Sequence, residues 1–294
     1  MQVIVHGGAG GPADDPQTRQ SVLDEAARAG AASDTVTAAV VAAIRDLETD
    51  HRFNAGTGAA VQSDGVIRTD AGVMTDDRKA GAVSAMPGVE HAVDVARIVK
   101  EKTPHVLISG VHAVDLAEAF DIPTGVDLWT PASTAKWADT DAPDSHDIHS
   151  HLEFVQETFG RDEIGGDGQW QHDTVGAVAR AGDKVAAATS TGGRWCALAG
   201  RVGDVPQIGA GFYSARVGGA SATGAGEDIA RTTLARRAVY HLENSRTAQE
   251  AADLAITEFA DLTQSGAGVI VMGNDGAHGS AYNTDSMQVA FAND

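Results

Sequence analysis

The 294-residue chain carries 41 acidic against 21 basic residues, a formal charge of -20 that argues against nucleic acid or an anionic membrane as partner. No apolar run is long enough to span a bilayer, Met1 runs straight into Gln-Val-Ile-Val without the layout of a signal peptide, and the single cysteine, Cys196, excludes an intrachain disulfide; together these point to a cytoplasmic protein in a reducing compartment. Five lysines against sixteen arginines in so acidic a chain suggest a salt-loving organism, where salt screens the self-repulsion.

With 34 glycines and 5% aromatic residues, the core is expected to be built from Ala, Val and Gly at close approach. Met1 to Val5 reads as a buried strand and His6 to Gly11 as a glycine-rich loop, which lacks the Lys-Ser/Thr ending of a phosphate-binding loop. His6 reads as structural. Asp15-Pro16 opens a helix, and Ser33 is placed to cap a second whose Val36, Val40, Ile44 and Leu47 share one face. Strand-like pieces follow at 66–69, 71–74 and 80–86. Helices over about 89–102 and 111–120 surround a short strand at 106–109.

From about Asp121 to His172 the composition shifts to Asp, Pro, Ser, His and Gly, which reads as a solvated, partly disordered linker. His146, His149 and His151 match no established metal-ligand spacing. Two small-residue runs, 174–179 and 185–193, then flank Gly182-Asp183 as a β-hairpin. Thr174 heads the first of them, directly after the linker. It reads either as an ordinary β-branched strand residue or as a nucleophile. A threonine hydroxyl needs a base, and the α-amine of an N-terminal threonine, with a pKa of about 7.7 to 8.0, is such a base. Cleavage between Asp173 and Thr174 would create it. Beyond the hairpin, Arg201 and Asp204 lie in a Gly- and Pro-bounded turn, 207–216 reads as a strand, and 224–226 leads into a helix over 227–242. A second helix over 248–262 and strands around an Asn274-Asp-Gly276 turn complete the chain. Hairpins flanked by helix pairs imply two packed sheets covered by helices.

The Thr174-Val-Gly-Ala-Val strand and the Ser190-Thr-Gly-Gly193 strand end resemble the plant-type asparaginase and isoaspartyl peptidase family of N-terminal-nucleophile hydrolases. His6-Gly-Gly-Ala-Gly10, Phe53-Asn-Ala-Gly-Thr-Gly58, Gly200-Arg-Val-Gly-Asp-Val-Pro206, Gly209-Ala-Gly-Phe-Tyr213 and Thr223-Gly-Ala-Gly-Glu227 occur in that family's order. The resemblance implies an α+β fold, a four-layer αββα sandwich in one domain over 1–294. It also implies self-cleavage into an alpha subunit, 1–173 with its linker, and a beta subunit, 174–294. The expected substrate is a small aspartyl compound, asparagine or a β-aspartyl dipeptide, turned over without a catalytic cofactor by a homodimer of alpha-beta units.

Carried over by the same resemblance, Thr191 hydrogen-bonds the Thr174 nucleophile, while the Thr223 hydroxyl and Gly224 N–H form the oxyanion hole. Arg201 and Asp204 hold the substrate's α-carboxylate and α-ammonium, with Gly226 beside them. Gly7, Gly8 and Asn54 support the scissile bond at Asp173. A structural sodium is expected on backbone oxygens of Leu47, Glu48, Phe53, Ala55 and Thr57. Two departures stand out. Asp76-Asp77 replaces the family's usual Asp-Gly, and Gly193-Arg-Trp-Cys-Ala-Leu-Ala199 replaces a more polar Asn- and Lys-containing segment on the leaving-group side. Two alternatives are a threonine hydrolase of the glycosylasparaginase or threonine aspartase kind and a non-catalytic ligand-binding protein on the same fold.

Overall fold

The computed structural model describes residues 1–144, 147–159 and 174–294. Its elements in chain order are β1 (Gln2–Gly10), α1 (Pro16–Ala31), α2 (Val36–Thr49), β2 (Arg68–Thr75), β3 (Ala80–Pro87), α3 (Ala92–Lys102), β4 (Leu107–Ser109), α4 (Val111–Ala119), α5 (Pro131–Ala138) and α6 (Ile148–Phe159). After them come β5 (Val175–Ala181), β6 (Lys184–Thr191), β7 (Phe212–Ala215), β8 (Gly218–Gly224), α7 (Gly226–Thr232), α8 (Leu234–Glu243), α9 (Ala248–Thr263), β9 (Ala267–Gly273), β10 (His278–Tyr282) and β11 (Ser286–Asn293). Among the described residues no helix is long and apolar enough to cross a membrane.

The strands form two sheets, ordered β11-β1-β5-β6-β2-β3-β4 and β10-β9-β8-β7, in which β3–β4 is the parallel pair and the other ladders are antiparallel. The side-chain period of two sorts the central hairpin between two cores. Val175, Ala177 and Ala179 of β5, with Ala186 and Ala188 of β6, pack under α1, α2 and α3. Their alternates Val178, Val185 and Ala187 meet Phe212, Ile270 and Met272 between the sheets. A third core joins the smaller sheet to α7, α8 and α9 through Leu234, Val239 and Phe259. The result is the expected helix, sheet, sheet, helix order, with β5 inside the stack on both faces.

Local chemistry explains where the elements begin. The Asp15 carboxylate accepts from Thr18 N (3.2 Å) and Pro16 stands in the first turn of α1. Thr247 and Glu250 close a reciprocal capping box on α9. Several expectations need correction. Thr35, not Ser33, caps α2, because its Oγ1 accepts from Ala38 N (3.2 Å) while the Ser33 hydroxyl turns back to Ala29 O. The glycines after His6 continue β1 instead of forming a loop, with a break in register between His6 and Ala9. The helix expected over 227–242 is split at Thr233, which adopts φ 52. The strand expected over 207–216 is only Phe212–Ala215, and the pieces at 66–69 and 71–74 fuse into β2 with a register shift at Asp70.

The expected linker holds two helices. α5 starts at a Thr130–Ser133 capping box, and Trp137 on it meets Trp129 and Trp195 edge to face, both at 6.3 Å. On α6, the buried His151 shares a hydrogen bond between Nδ1 and Ser63 Oγ (3.2 Å), so an imidazole considered as a ligand is a packing contact; His149 is exposed and His146 lies outside the described residues. Among the described residues no cluster of three or more His, Cys, Asp or Glu side chains could hold a metal.

Candidate active site

Thr174 stands at the entrance to β5, the strand flanked by β1 and β6, and is buried. Its hydroxyl donates to Thr191 Oγ1 (3.3 Å) at the end of β6, and Thr191 Oγ1 also accepts from Gly193 N (3.1 Å). Asn54 is fastened to the same turn at two points and to Ala60 at a third. Its Nδ2 donates to Gly193 O (2.6 Å), its backbone carbonyl accepts from Gly192 N (2.8 Å), and its Oδ1 accepts from Ala60 N (2.8 Å). Asn54 thereby fixes the turn that fixes Thr191. The bond expected to be cut lies at the edge of the description, since Asp173 is outside the described residues.

Beneath the threonine, His6 of β1 pairs across the ladder with Gly176 of β5, so Gly7 and Gly8 run on beside Thr174. His6 is fully buried and shares a 2.7 Å hydrogen bond between Nε2 and Ser221 Oγ of the opposite sheet. Burial drives its imidazole down to about 3, against a smaller opposing influence of the Thr174 backbone, so it stays neutral. It is a tie between sheets, as its sequence context suggested. Gly176 makes that tie sterically feasible: a Cβ there would lie 1.9 Å from Ser221 Oγ and 2.2 Å from His6 Nε2.

Thr223 and Gly224 end β8 across from this point. Ala9 N donates to Thr223 Oγ1 (3.3 Å), which links the oxyanion candidates to the glycine-rich stretch of β1. Gly224 has φ 137, a conformation open to glycine, and a Cβ would lie 2.5 Å from Gly266 O.

The charged half of the site gathers around Arg201. Its Nε and one terminal nitrogen make a parallel fork to the two Glu227 oxygens, both at 2.8 Å. Burial alone would raise the Glu227 carboxyl, but the Arg201 hydrogen bonds and charge overcome it and hold the group at about 2. Asp204 is buried, and its Oδ2 has no hydrogen-bond partner among the described residues. Burial raises this carboxyl to about 7 against the attraction of Arg201. A Cβ on Gly226 would meet an Arg201 nitrogen at 2.7 Å and Asp204 Oδ1 at 2.8 Å, so the absent side chain is what brings these opposite charges together. An unsatisfied buried carboxylate next to a guanidinium suits a zwitterionic ligand better than it suits a finished core.

The segment from Leu47, in the last turn of α2, to Gly58 winds tightly. Thr57 N donates to Glu48 O (2.8 Å), and the carbonyls of Glu48 and Glu90 would stand 2.3 and 2.8 Å from a Cβ on Gly56. Such converging neutral carbonyls are the donor type a hard monovalent cation accepts, and Leu47 at the end of α2 and Phe53 and Ala55 in the loop beyond it are buried.

Three acidic side chains of the neighbourhood were given no role in the sequence. Glu227 was read as a helix start, although it follows directly on the Thr223–Gly226 motif. Asp70 faces Thr191 in the β2–β6 register, accepts from Ala85 N (2.7 Å), and is raised to about 7 by burial, opposed by that hydrogen bond and by Arg201. The side chain of Glu48 takes bonds from Ser190 Oγ (2.6 Å) and Val93 N (3.1 Å) and faces His91 Nδ1 at 3.5 Å, which anchors β6 next to Thr191. An acid at either position looks like any other strand or helix residue until pairing brings its partners in.

The chain is similar to known proteins along nearly its whole length. An isoaspartyl peptidase/L-asparaginase of Macaca fascicularis is 35% identical over 307 residues, covering 99% of this chain and 93% of that protein. A plant-type L-asparaginase of Pyrococcus abyssi is 36% identical, with 99% and 96% covered, and one of Pyrobaculum calidifontis is 38% identical, with 97% and 94% covered. The sequence model of the family described as asparaginase matches residues 1–294, and the chain is a member of that family.

Proposed function

We propose that the protein is a self-cleaving threonine amidohydrolase acting on the side-chain amide of L-asparagine and on the isopeptide bond of β-aspartyl dipeptides. The observation that carries this reading is the 3.3 Å contact of the buried Thr174 hydroxyl, at the start of β5 where the chain would be cut, with Thr191 at the end of β6. Cleavage between Asp173 and Thr174 yields an alpha subunit, 1–173, and a beta subunit, 174–294. The freed α-amine takes the hydroxyl proton as Thr174 Oγ1 attacks the side-chain carbonyl. The tetrahedral oxyanion is received by the Thr223 hydroxyl and Gly224 N–H, each such donor being worth about 10² to 10³ in rate. Collapse expels ammonia or an amino acid and leaves a β-aspartyl ester, which water hydrolyses.

Arg201, aimed by Glu227, takes the substrate's α-carboxylate, and Asp204 takes its α-ammonium, with Gly226 leaving room for both. A sodium ion on the carbonyls of the Leu47–Gly58 segment would stiffen the turn that holds Asn54 and supplies no chemical step. The working form is a cytoplasmic homodimer of alpha-beta units. Turnover of asparagine and of β-Asp-Leu by one matured preparation tests the reading. Hydrolysis of both, lost in Thr174→Ala, supports it, and hydrolysis of neither by the cleaved wild type contradicts it.

A further inference from the structure

Thr174, Thr191 and Asp70 stand in one row across three neighbouring strands. Val175 pairs with Ser190, and Thr191 with Asp70, in antiparallel ladders, so Thr174 at the entrance to β5, Thr191 of β6 and Asp70 of β2 are successive cross-strand neighbours. Val175 and Ala71 pack under the helices and Ser190 bonds Glu48 of α2, so strand alternation turns the three side chains of the row the other way, between the sheets. Thr191 Oγ1 accepts from Thr174 Oγ1 (3.3 Å) and from Gly193 N (3.1 Å), which fills both its lone pairs and leaves its own proton to be given onward. Asp70 is next in the row. It sits where the β2–β3 register shifts, and its Oδ1 accepts from the N–H of Ala85 (2.7 Å), a residue with φ 53; among the described residues its Oδ2 accepts no hydrogen bond. Such irregularities re-aim a side chain, and a cross-strand carboxyl is within reach of a hydroxyl directly or through one water.

In turnover the freed α-amine of Thr174 is the base. Before the cut that nitrogen belongs to a peptide bond and its lone pair is delocalised into the carbonyl, so self-cleavage needs another base. The groups that face the row narrow the choice. His6 of β1 is committed to Ser221 and is driven down to about 3, too weak to hold the proton. Glu227 is forked to Arg201 and held at about 2. Asp204 lies with Arg201 and Gly226, off the row. Glu48 of α2 and His91 and Asp94 at the start of α3 lie on the helix face of the sheet. Asp70 alone stands in the row, and burial raises its carboxyl to about 7 against the Ala85 hydrogen bond and Arg201, a basicity suited to a proton acceptor near neutral pH.

We propose that Asp70 is the proton acceptor for self-cleavage, drawing the Thr174 proton through Thr191. This rests on the self-cleavage reading and supplies its base. Thr174 Oγ1 attacks the carbonyl carbon of the 173–174 peptide while its proton passes to Thr191 and the Thr191 proton passes to Asp70. Collapse breaks the C–N bond, a proton returns by the same route to the departing nitrogen, and water hydrolyses the ester to leave the two subunits. The test refolds freshly made full-length chain from urea and follows its conversion into residues 1–173 and 174–294 from about pH 5 to about pH 9. The wild-type rate should rise through about pH 7 and level off. Asp70→Asn keeps an acceptor for Ala85 N but is no base, so it should melt no lower than wild type at about pH 8, mature about a hundredfold or more slowly, and lack the limb near 7. Asp204→Asn should keep that limb, moved to lower pH because one negative neighbour is gone. If Asp70 serves only to fix Ala85, Asp70→Asn matures at the wild-type rate, which overturns the proposal while leaving self-cleavage standing. If Asp70→Asn does not fold, the other two profiles decide: a flat wild-type rate, or a limb lost in Asp204→Asn, overturns the proposal. A wild-type chain that never cleaves overturns both readings.

Discussion

Gly176→Ala tests how the nucleophile strand is seated against the second sheet. The added methyl group would fall 1.9 Å from Ser221 Oγ and 2.2 Å from His6 Nε2, both fully buried, so at least one of them must move. Overpacking of this kind costs about 1 to 3 kcal/mol, and parting the buried His6–Ser221 pair adds about 1 to 3 more. A combined loss of about 2 to 6 kcal/mol at roughly 2 °C per kcal/mol for a chain of this length lowers Tm by about 4 to 12 °C. Because Gly176 is two residues from Thr174, self-cleavage should slow as well. Calorimetry and a denaturing gel time course read the two effects. Ser221→Ala alone should cost only the hydrogen-bond share, and the double variant should cost less than the two single losses added, because the nearest clashing atom is gone. A Gly176→Ala protein that melts within about 2 °C of wild type and matures at the same rate would refute the account of this contact.

Arg201→Lys keeps the charge but loses the two-point fork, so kcat/KM on asparagine should fall about ten- to a hundredfold in a protein that still matures; values within twofold of wild type remove Arg201 from the substrate site. Asp204 must be ionised to hold an ammonium and is raised to about 7, so kcat/KM should fall as pH drops through about 7, and an acid limb centred near 4 contradicts this role. The same shift acts with opposite sign on folding. Stability from neutral Asp70 and Asp204 is fully present below their unfolded pKa of 3.8 and lost as pH rises through about 7, so ligand-free enzyme should melt lower at pH 8 than at pH 6.5. The depressed His6 contributes in the other direction, and its contribution is lost as pH falls from 6.5 toward about 3, which adds to acid unfolding. The surplus of acidic residues predicts a Tm that rises between 0.01 M and 1 M salt, as the Debye length shrinks from about 30 Å to about 3 Å; an unchanged Tm contradicts salt-dependent folding.

The parts of the site carried by short contiguous motifs were legible in the sequence. Thr174, Thr191, Thr223, Gly224, Arg201, Asp204 and Gly226 each lie in such a motif, and the structure bonds Thr174 to Thr191 and sets Gly226 against Arg201 and Asp204. The helix-sheet order was legible because hairpins flanked by helix pairs imply two packed sheets covered by helices. What escaped depends on distant pairing. Glu227 matters through a fork to a residue 26 positions away, and Asp70 through its register opposite Thr191. The helices of the 121–172 stretch were missed for a related reason. Their polar composition hides that Trp137 and His151 are satisfied by Trp195 and Ser63, which belong to other parts of the chain. Thr233 interrupts a helical pattern by a backbone conformation that composition does not announce.

The central claim is that Thr174 becomes the first residue of a separate chain and acts from that position. Intact mass spectrometry of active protein under denaturing conditions, with N-terminal sequencing of the smaller piece, measures this directly. The account predicts two species, residues 1–173 and 174–294, the second beginning Thr-Val-Gly-Ala, and a single uncleaved, inactive species for Thr174→Ala. Full asparagine turnover by a wild-type protein that remains one intact chain would contradict it.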